Sequence, residues 1–331
     1  MRVVPLLIIS TLLAGCTGVP STPLMPRPTA TVSAALTEIL LPSDTPFASV
    51  PNIPEPKNIT PSPIATTASC VPAIDDYCVD GGHFIFNRPI VPPGHDDVES
   101  TYRYGSTQNG LREPHHGVEF PNPAGMPVLA AADGQVVFAG SDEDPLLSPW
   151  PNFYGNAVVI EHSFTDEITF TLYGHLSKVD VVPGEFVKAG ERIGEVGAAG
   201  AAIGNHLHFE VRIDANDYGS TRNPELWLIP KPGYGAAAVR ISGKNDALLP
   251  VHLNIQEVFP DGSLQSIGQP EAYDFKEKIP VVSDDIYGEN FALGDLVEGD
   301  YRLSFVLMGK LYERLIKIES GKLTLVEIGI Q

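Results

Sequence analysis

Hydrophobic and polar residues alternate along much of this chain, in short runs separated by glycine and proline. Examples are 135–138, 157–160, 169–173 and 206–212. Alternation over a few residues is typical of β-strands with one buried face, and short apolar runs bounded by turn residues are typical of fully buried strands. The pattern predicts an all-β, or at least β-dominated, domain in the middle of the chain.

A second stretch with the same alternation of hydrophobic and polar residues follows Pro232-Gly233. Val251, Leu253 and Ile255 alternate with polar residues, and the segments 301–307 and 312–318 repeat the pattern. Short strands at regular spacing predict a β-sandwich over residues 236–331. The turn at 298–303 resembles the final part of transthyretin-like or carboxypeptidase-regulatory-like modules. No catalytic set is evident there, so a binding or spacer role is the default expectation.

The first sixteen residues have the pattern of a targeting segment. Arg2 precedes the apolar run Val3–Leu13, which is shorter than the ~20 residues needed to span a bilayer. The run ends in Leu13-Ala14-Gly15-Cys16, which resembles the lipobox of bacterial lipoproteins. That resemblance implies cleavage before Cys16, a lipid on Cys16, and attachment to a membrane at the cell surface or in the periplasm. An ordinary signal peptide and a buried apolar strand are the alternatives.

Residues 17–69 are rich in proline, threonine and serine, which favours an extended linker over a packed domain. Residues 70–111 form an entry segment containing Cys70 and Cys78. In an oxidising compartment this pair predicts a small disulfide loop, with two buried thiols as the alternative.

Net charge narrows the range of partners. The 331 residues carry 41 acidic and 21 basic side chains, a formal charge of −20. A nucleic-acid-binding protein needs a basic surface, so this charge argues against that class. The oligomeric state is left undetermined by the sequence.

Histidines and acids recur at spacings that point to a metal site. His115 and Glu119 are four residues apart with Gly117 between them, and on a strand all three share one face. The glycine would leave space for an ion. His206 and His208 share a face in the same way, and His175 follows the alternating segment 169–173. Two histidines and one carboxylate are a known ligand set for catalytic zinc, and further histidines can transfer protons or stabilise an oxyanion.

The order of these motifs resembles that of the lysostaphin-type, or LytM-type, zinc metallopeptidases. The resemblance extends from about residue 112 to 228 and supports a domain at 112–232. Its motifs read His115 to Glu119, Gly125 to Val136, Tyr173-Gly174-His175, the strand-and-turn segment 184–194, Gly204 to Glu210, and Asn223-Pro224.

The resemblance implies a compact antiparallel β fold with a groove over a zinc ion, and hydrolysis of peptide cross-links in bacterial peptidoglycan. Zinc would be held by His115, Glu119 and His208. His206 would act as general base on the attacking water, and His175 would stabilise the tetrahedral intermediate. Tyr173 is a lesser candidate for the groove.

One position departs from the family pattern, which has aspartate where this chain has Glu119. The longer side chain must fold back, or its strand must shift, to reach zinc at ~2.0–2.2 Å. The alternative function is therefore a non-catalytic wall-binding or hydrolase-activating lipoprotein with a degenerate site. A cargo-binding protein that acts through its C-terminal domain is a third possibility.

The remaining features receive plainer interpretations. His116 is expected on the opposite strand face, in a groove wall or hydrogen-bonding role, and His162 is expected at the surface. The acidic stretch from Ser141 favours a solvated turn over a calcium loop. That stretch begins a loop reaching Tyr154, which we expect to border the groove and influence substrate choice.

Overall fold

Regular structure in the described residues is almost entirely β. A computed structural model describes residues 70–144, 147–164, 167–273, 275 and 279–330. Its strands are β1 (Cys78–Asp80), β2 (Val118–Pro121), β3 (Pro127–Leu129), β4 (Gly134–Ser141), β5 (Asn156–Phe164), β6 (Glu167–Gly174), β7 (Lys178–Val179), β8 (Phe186–Val187), β9 (Arg192–Glu195), β10 (His206–Ile213), β11 (Thr221–Arg222), β12 (Tyr234–Ser242), β13 (Asn254–Val258), β14 (Leu264–Gly268), β15 (Phe291–Val297), β16 (Gly299–Leu307), β17 (Lys310–Ile318) and β18 (Leu323–Gly329).

Helical structure within those ranges is limited to three short 3-10 turns, at Tyr218–Ser220, Pro224–Leu226 and Lys244–Asp246. None of the helices in this part of the chain is long and apolar enough to cross a membrane. The prediction of an all-β fold is confirmed. The predicted signal peptide, the lipidated Cys16 and the linker at 17–69 lie outside the described residues.

The central sheet has seven strands in the order β11-β10-β6-β5-β4-β8, with β2 pairing with β10. Neighbouring strands run antiparallel, including β10 against β2 and β6. Every residue of β10 is buried. Leu207, Phe209 and Val211 pack into the main hydrophobic core, so the period of two along a strand directs His206, His208 and Glu210 to the opposite face.

A three-stranded sheet, β3-β9-β7, contributes further residues to that core. Val128 of β3, Ile193 of β9 and Leu176 belong to the same buried cluster as the core-facing residues of β10. Strand β10 is therefore covered on its apolar face, which makes it a rigid base for the histidines on its other face.

The C-terminal region contains two four-stranded sheets, β1-β18-β12-β15 and β14-β13-β16-β17. Residues from both bury a common apolar cluster that includes Val239, Leu253, Phe305 and Val326. Strands β12 and β18 pair in parallel, whereas the other pairs in these two sheets are antiparallel.

The entry segment connects with both regions. Its strand β1 pairs with β18, and Cys70 and Cys78 are joined by a disulfide in the structure. Further along, Ile90 is fully buried in the main core. The guanidinium of Arg88 donates to the carboxylate of Asp295 at 3.0 Å. This part of the segment therefore packs on the core.

Candidate metal centre

All five side chains predicted for the site line a single groove of about 380 Å³. His115 lies just before β2, Glu119 is on β2, His206 and His208 are on β10, and His175 follows β6. The pairing of β2 with β10 places Glu119 directly opposite His208. The pairing of β10 with β6 places His208 opposite Gly174, which explains why His175 is close by.

The three predicted ligands lie within metal-binding distance of one another. His115 Nε2 is 3.2 Å from His208 Nδ1 and 3.8 Å from Glu119 Oε1. One ligand atom from each of the three residues lies within 4.8 Å of the other two. Both imidazoles are buried, whereas the Glu119 side chain is 18% exposed. The trio can therefore offer two nitrogens and a carboxylate oxygen from one side of the groove.

Hydrogen bonds determine which nitrogen of each imidazole carries a proton. His115 Nδ1 is 2.8 Å from the backbone carbonyl of Tyr102, and a carbonyl can only accept. His208 Nε2 is 2.9 Å from Glu210 Oε1, and an ionised carboxylate likewise only accepts. In the neutral rings, the lone pairs are therefore on His115 Nε2 and His208 Nδ1, the two atoms that face each other.

This arrangement fits zinc. Two nitrogen ligands of tetrahedral zinc, each at about 2.0–2.1 Å, lie roughly 3.3 Å apart. The two lone-pair nitrogens are 3.2 Å apart, a distance at which they repel each other unless a cation lies between them. Glu119, on the neighbouring strand, adds negative charge at the same point. The longer side chain in place of aspartate is thus accommodated within reach of the two imidazoles.

Behind His208 lies a buried charged network on the same strand. Glu210 and Arg212 are both fully buried, and their side chains pair at 2.7 Å. The Tyr154 hydroxyl also donates to Glu210. Burial alone would raise the pKa of Glu210, but Arg212 and the bonds from His208 and Tyr154 outweigh it and lower that pKa to about 2. The carboxylate is therefore ionised at neutral pH and fixes the tautomer of His208.

His206 and His175 line the same groove. His206 Nδ1–H donates to the Gly204 carbonyl at 3.1 Å, and His175 Nδ1–H donates to the Ala199 carbonyl at 2.8 Å. Their ring centroids are 4.8 Å apart. Burial, followed by the neighbouring imidazoles, lowers the pKa of His175 to about 3. Burial is also the largest cause of the lowered pKa of His206.

Tyr173 does not share the groove with His175, contrary to the sequence expectation. It is fully buried in the core, where its hydroxyl accepts hydrogen bonds from Ala131 N–H and Thr171 Oγ1. Strand β6 ends at Gly174, and His175 has a left-handed backbone with φ of 62°. The alternation rule stops applying where the strand ends, so the two side chains point in different directions.

Of three further expectations, the structure agrees with the one for His116 and differs from those for Gly117 and His162. Gly117 is required because a Cβ there would lie 2.8 Å from His208 Nε2, so the space it leaves is used by that imidazole. His116 is buried, lines the groove, and contacts Thr221 Oγ1 at 2.9 Å, as expected for a wall residue. His162 is not at the surface. It is fully buried and contacts the Asp133 carbonyl and Thr171 Oγ1.

The loop after Ser141 also differs from a solvated turn. Asp142 is fully buried, and its carboxylate accepts the Tyr154 N–H at 2.7 Å. The same loop brings Trp150 and Phe153 to the groove. The expectation that the loop borders the groove agrees with this placement, and its influence on substrate choice stays a prediction.

Sequence reasoning missed two residues that contact the predicted metal ligands. Glu210 was visible in the Gly204–Glu210 motif, and the spacing of two from His208 predicts that both share a face. Tyr102 offered no comparable signal. Its carbonyl accepts from His115, and its ring stacks on that imidazole at 4.1 Å between centroids, although the two residues have no characteristic spacing.

Comparison with known proteins agrees with this geometry. Residues 113–223 match the model of Peptidase family M23. The DD-carboxypeptidase/endopeptidase Mpg of Neisseria meningitidis serogroup B is 39% identical over 139 residues, which cover 41% of this chain and 28% of that protein. Lysostaphin of Staphylococcus simulans is 34% identical over 143 residues, covering 43% of this chain and 27% of lysostaphin.

Among solved structures, the catalytic domain of lysostaphin from Staphylococcus simulans aligns at 29% identity and a TM-score of 0.32, covering 39% of this chain and 88% of that one. The chain spans only 28% of Mpg and 27% of lysostaphin. The names of these relatives therefore describe proteins much longer than the shared segment.

The fold and the groove thus define a zinc-type metallopeptidase domain. The segment at residues 113–223 resembles the domains of peptidase family M23, whose members are zinc-dependent. The resemblance to lysostaphin-type peptidases seen in the sequence motifs is confirmed.

Proposed function

We propose that this protein is a zinc-dependent endopeptidase that hydrolyses peptide cross-links of bacterial peptidoglycan. The observation that carries the proposal is the convergence of five chemically competent side chains in one groove. The M23 match covers all five residues, and relatives of this segment are named as peptidoglycan or glycyl-glycine endopeptidases. Activity of the whole chain is inferred from that shared domain.

In this proposal, His115 Nε2, His208 Nδ1 and one oxygen of Glu119 hold the metal. Zinc in such a site lowers the pKa of a water molecule and polarises the substrate carbonyl. The protein's own contribution is to hold the two imidazoles in the ligand tautomer. It does this through the Tyr102 carbonyl behind His115 and the Glu210 carboxylate behind His208.

His206 is suited to accept the proton of the attacking water. Its Nδ1–H is engaged with Gly204, so the lone pair is on Nε2, 3.5 Å from Glu119 Oε1. That nitrogen is buried and has no hydrogen-bond partner within the described ranges. A neutral imidazole at that distance from a ligand carboxylate is close enough to reach a water at the metal.

His175 is suited to stabilise the negative charge that develops on the substrate carbonyl oxygen. Its Nδ1–H already donates to Ala199, so it can stabilise an oxyanion only after Nε2 takes up a proton. Burial disfavours the imidazolium in the resting site, where the pKa of His175 is about 3. Negative charge developing on the substrate would raise that pKa and make protonation favourable during the reaction.

The proposal also includes an extracytoplasmic, lipid-anchored location. A lipid on Cys16 would hold the chain at a membrane, and residues 17–69 would serve as a spacer that lets the catalytic domain reach the wall. The Cys70–Cys78 disulfide is typical of proteins outside the cytoplasm. Cells fed a labelled fatty acid should label the wild-type chain but not Cys16→Ser. Equal labelling of both would contradict the anchor.

The catalytic proposal is tested with purified peptidoglycan and the full chain. The wild-type protein should release peptides with new amino ends, lose this activity to a chelator, and regain it when zinc is restored. Tight binding to the wall polymer without peptide release, in the presence of stoichiometric zinc, would instead support the non-catalytic wall-binding alternative. If release then appeared in Glu119→Asp, the longer carboxylate would be identified as the cause.

A further inference from the structure

One wall of the groove is formed by the segment 99–114, which we call the wall segment. It holds His115 through the imidazole and also through the backbone. The Gly105 N–H donates to the His115 carbonyl at 2.8 Å, and the His115 N–H donates to the Ser106 carbonyl at 3.1 Å. With the Tyr102 contact to the ring, the wall segment therefore fixes the position of this ligand at three points.

The tip of the wall segment has a backbone conformation that other contacts must hold in place. Gln108 and Asn109 both have left-handed backbones, with φ of 49° and 59°. Such conformations are unfavourable for residues other than glycine and persist where surrounding contacts enforce them. Part of the support is internal, since Thr107 Oγ1 accepts the Gly110 N–H at 2.9 Å and the Thr107 carbonyl accepts the Leu111 N–H at 3.0 Å. Further support comes from outside the turn.

That support comes from Glu271, far away in the C-terminal region. Its carboxylate accepts the Thr107 N–H at 2.7 Å and the Ser106 hydroxyl at 3.1 Å, and it also accepts the Asn109 N–H. Glu271 is itself tied to the C-terminal region by a β-bridge to His252. Burial opposes ionisation of Glu271, but the bonds from Thr107, Asn109 and Ser106 outweigh it and lower its pKa.

We propose that Glu271 is a positioning residue for the metal centre: it holds the tip of the wall segment, and thereby holds His115 ready to bind zinc. This gives the C-terminal region a specific role in the peptidase site. The inference rests on the proposed function only in taking His115 as a zinc ligand.

Other contacts attach the wall segment independently of Glu271. The Tyr104 hydroxyl bonds to the backbone of Val282 at 3.0 Å, and Arg103 pairs with buried Glu225. Glu271 is only partly buried. Removing its carboxylate should therefore loosen the tip without detaching the segment or unfolding the protein.

The test compares Glu271→Ala, Glu271→Gln and a matched control in the full chain. Asp261→Asn is the control, because Asp261 also accepts a backbone N–H, from Ser263 at 2.9 Å, but in an exposed turn that makes no hydrogen bond to the wall segment among the described residues. Zinc affinity is measured by competition with a chelator. The visible spectrum of the cobalt-substituted protein reports ligand geometry, and melting of the metal-free protein reports stability.

We expect Glu271→Ala to weaken zinc binding about tenfold and to alter the cobalt spectrum, as changes behind a metal ligand commonly do. Glu271→Gln should lie between wild type and Glu271→Ala, since its amide oxygen still accepts, and Asp261→Asn should match wild type. A lower melting temperature with unchanged zinc affinity and spectrum would overturn the proposal and leave Glu271 a purely structural residue. A wild-type chain that binds no zinc would contradict the proposed function itself.

Discussion

Two buried glutamates, Glu210 and Glu289, are stabilised in different charge states, the first ionised and the second protonated. Glu210, beneath the groove on β10, pairs with Arg212, and its pKa is lowered to about 2. Glu289, in the C-terminal region that supports the wall segment, has a pKa raised to about 8 by burial and by the nearby carboxylate of Asp284. Burial is nearly complete for both, so the difference comes from the neighbouring charge.

The floor and the wall of the groove support the site in different ways. The floor holds the proposed ligand His208 with a charged network that lies almost wholly in one strand and consists of His208, Glu210 and Arg212. The wall holds the proposed ligand His115 with hydrogen bonds between segments that are far apart in sequence. In the C-terminal region, Glu289 accepts hydrogen bonds from the Tyr273 hydroxyl and the Asp284 N–H. The protein should therefore be sensitive to loss of the Glu210 charge and should tolerate a neutral side chain at Glu289.

The largest effect is expected for Glu210→Gln. This change removes the charge opposite fully buried Arg212, and breaking a buried ion pair commonly costs about 3–5 kcal/mol. Denaturant unfolding of the metal-free protein should show that loss. Zinc affinity should fall by about 10- to 100-fold as well, because the amide no longer holds the His208 tautomer as firmly. A variant with wild-type stability and affinity would show that the floor does not depend on this charge.

Glu289→Gln is expected to stabilise the protein, the opposite of the effect expected for Glu210→Gln. A carboxyl whose pKa is about 8 when folded and near 4.5 when unfolded favours folding while it stays protonated, and this advantage is lost as pH rises from 4.5 to 8. The neutral glutamine should therefore stabilise the protein by about 4 kcal/mol at pH 8 and have little effect at pH 4. Facing groups that titrate or carry charge are Asp284, Tyr273 and, through Asp284, His83.

Unfolding curves at the two pH values check this prediction. Equal destabilisation by Glu289→Gln at both pH values would contradict the difference between the two glutamates, because Glu289 would then act as an ionised partner like Glu210.

The groove floor could be predicted from the sequence. It lies on one strand, and the alternation that places His206, His208 and Glu210 on one face is a local property of the chain. Glu119 follows similarly, but the expectation that His115, Gly117 and Glu119 share one strand face is wrong, because β2 begins only at Val118 and His115 is held instead by the wall segment. Tyr173 was misplaced because the strand ends one residue after it, and His162 was misplaced because Thr171 and Asp133 satisfy it in the interior.

The wall could not be predicted in this way. Tyr102 and Glu271 each make a hydrogen bond that involves a backbone group, the Tyr102 carbonyl in one case and the Thr107 N–H in the other, and a backbone group leaves no mark on residue type. The separation of 164 positions between Thr107 and Glu271 likewise excludes any local pattern. Only the folded arrangement of the C-terminal region next to the wall segment brings them together.

The most direct test of the catalytic account compares His206→Ala with His208→Ala, two changes on one face of one strand. Zinc content and peptide release from peptidoglycan are measured together. His206→Ala should keep near-stoichiometric zinc and lose cleavage by about 10²- to 10⁴-fold, as expected for loss of a general base, whereas His208→Ala should lose both. Cleavage that persists in His206→Ala, or zinc that is lost equally in both variants, would contradict the assignment of base and ligand.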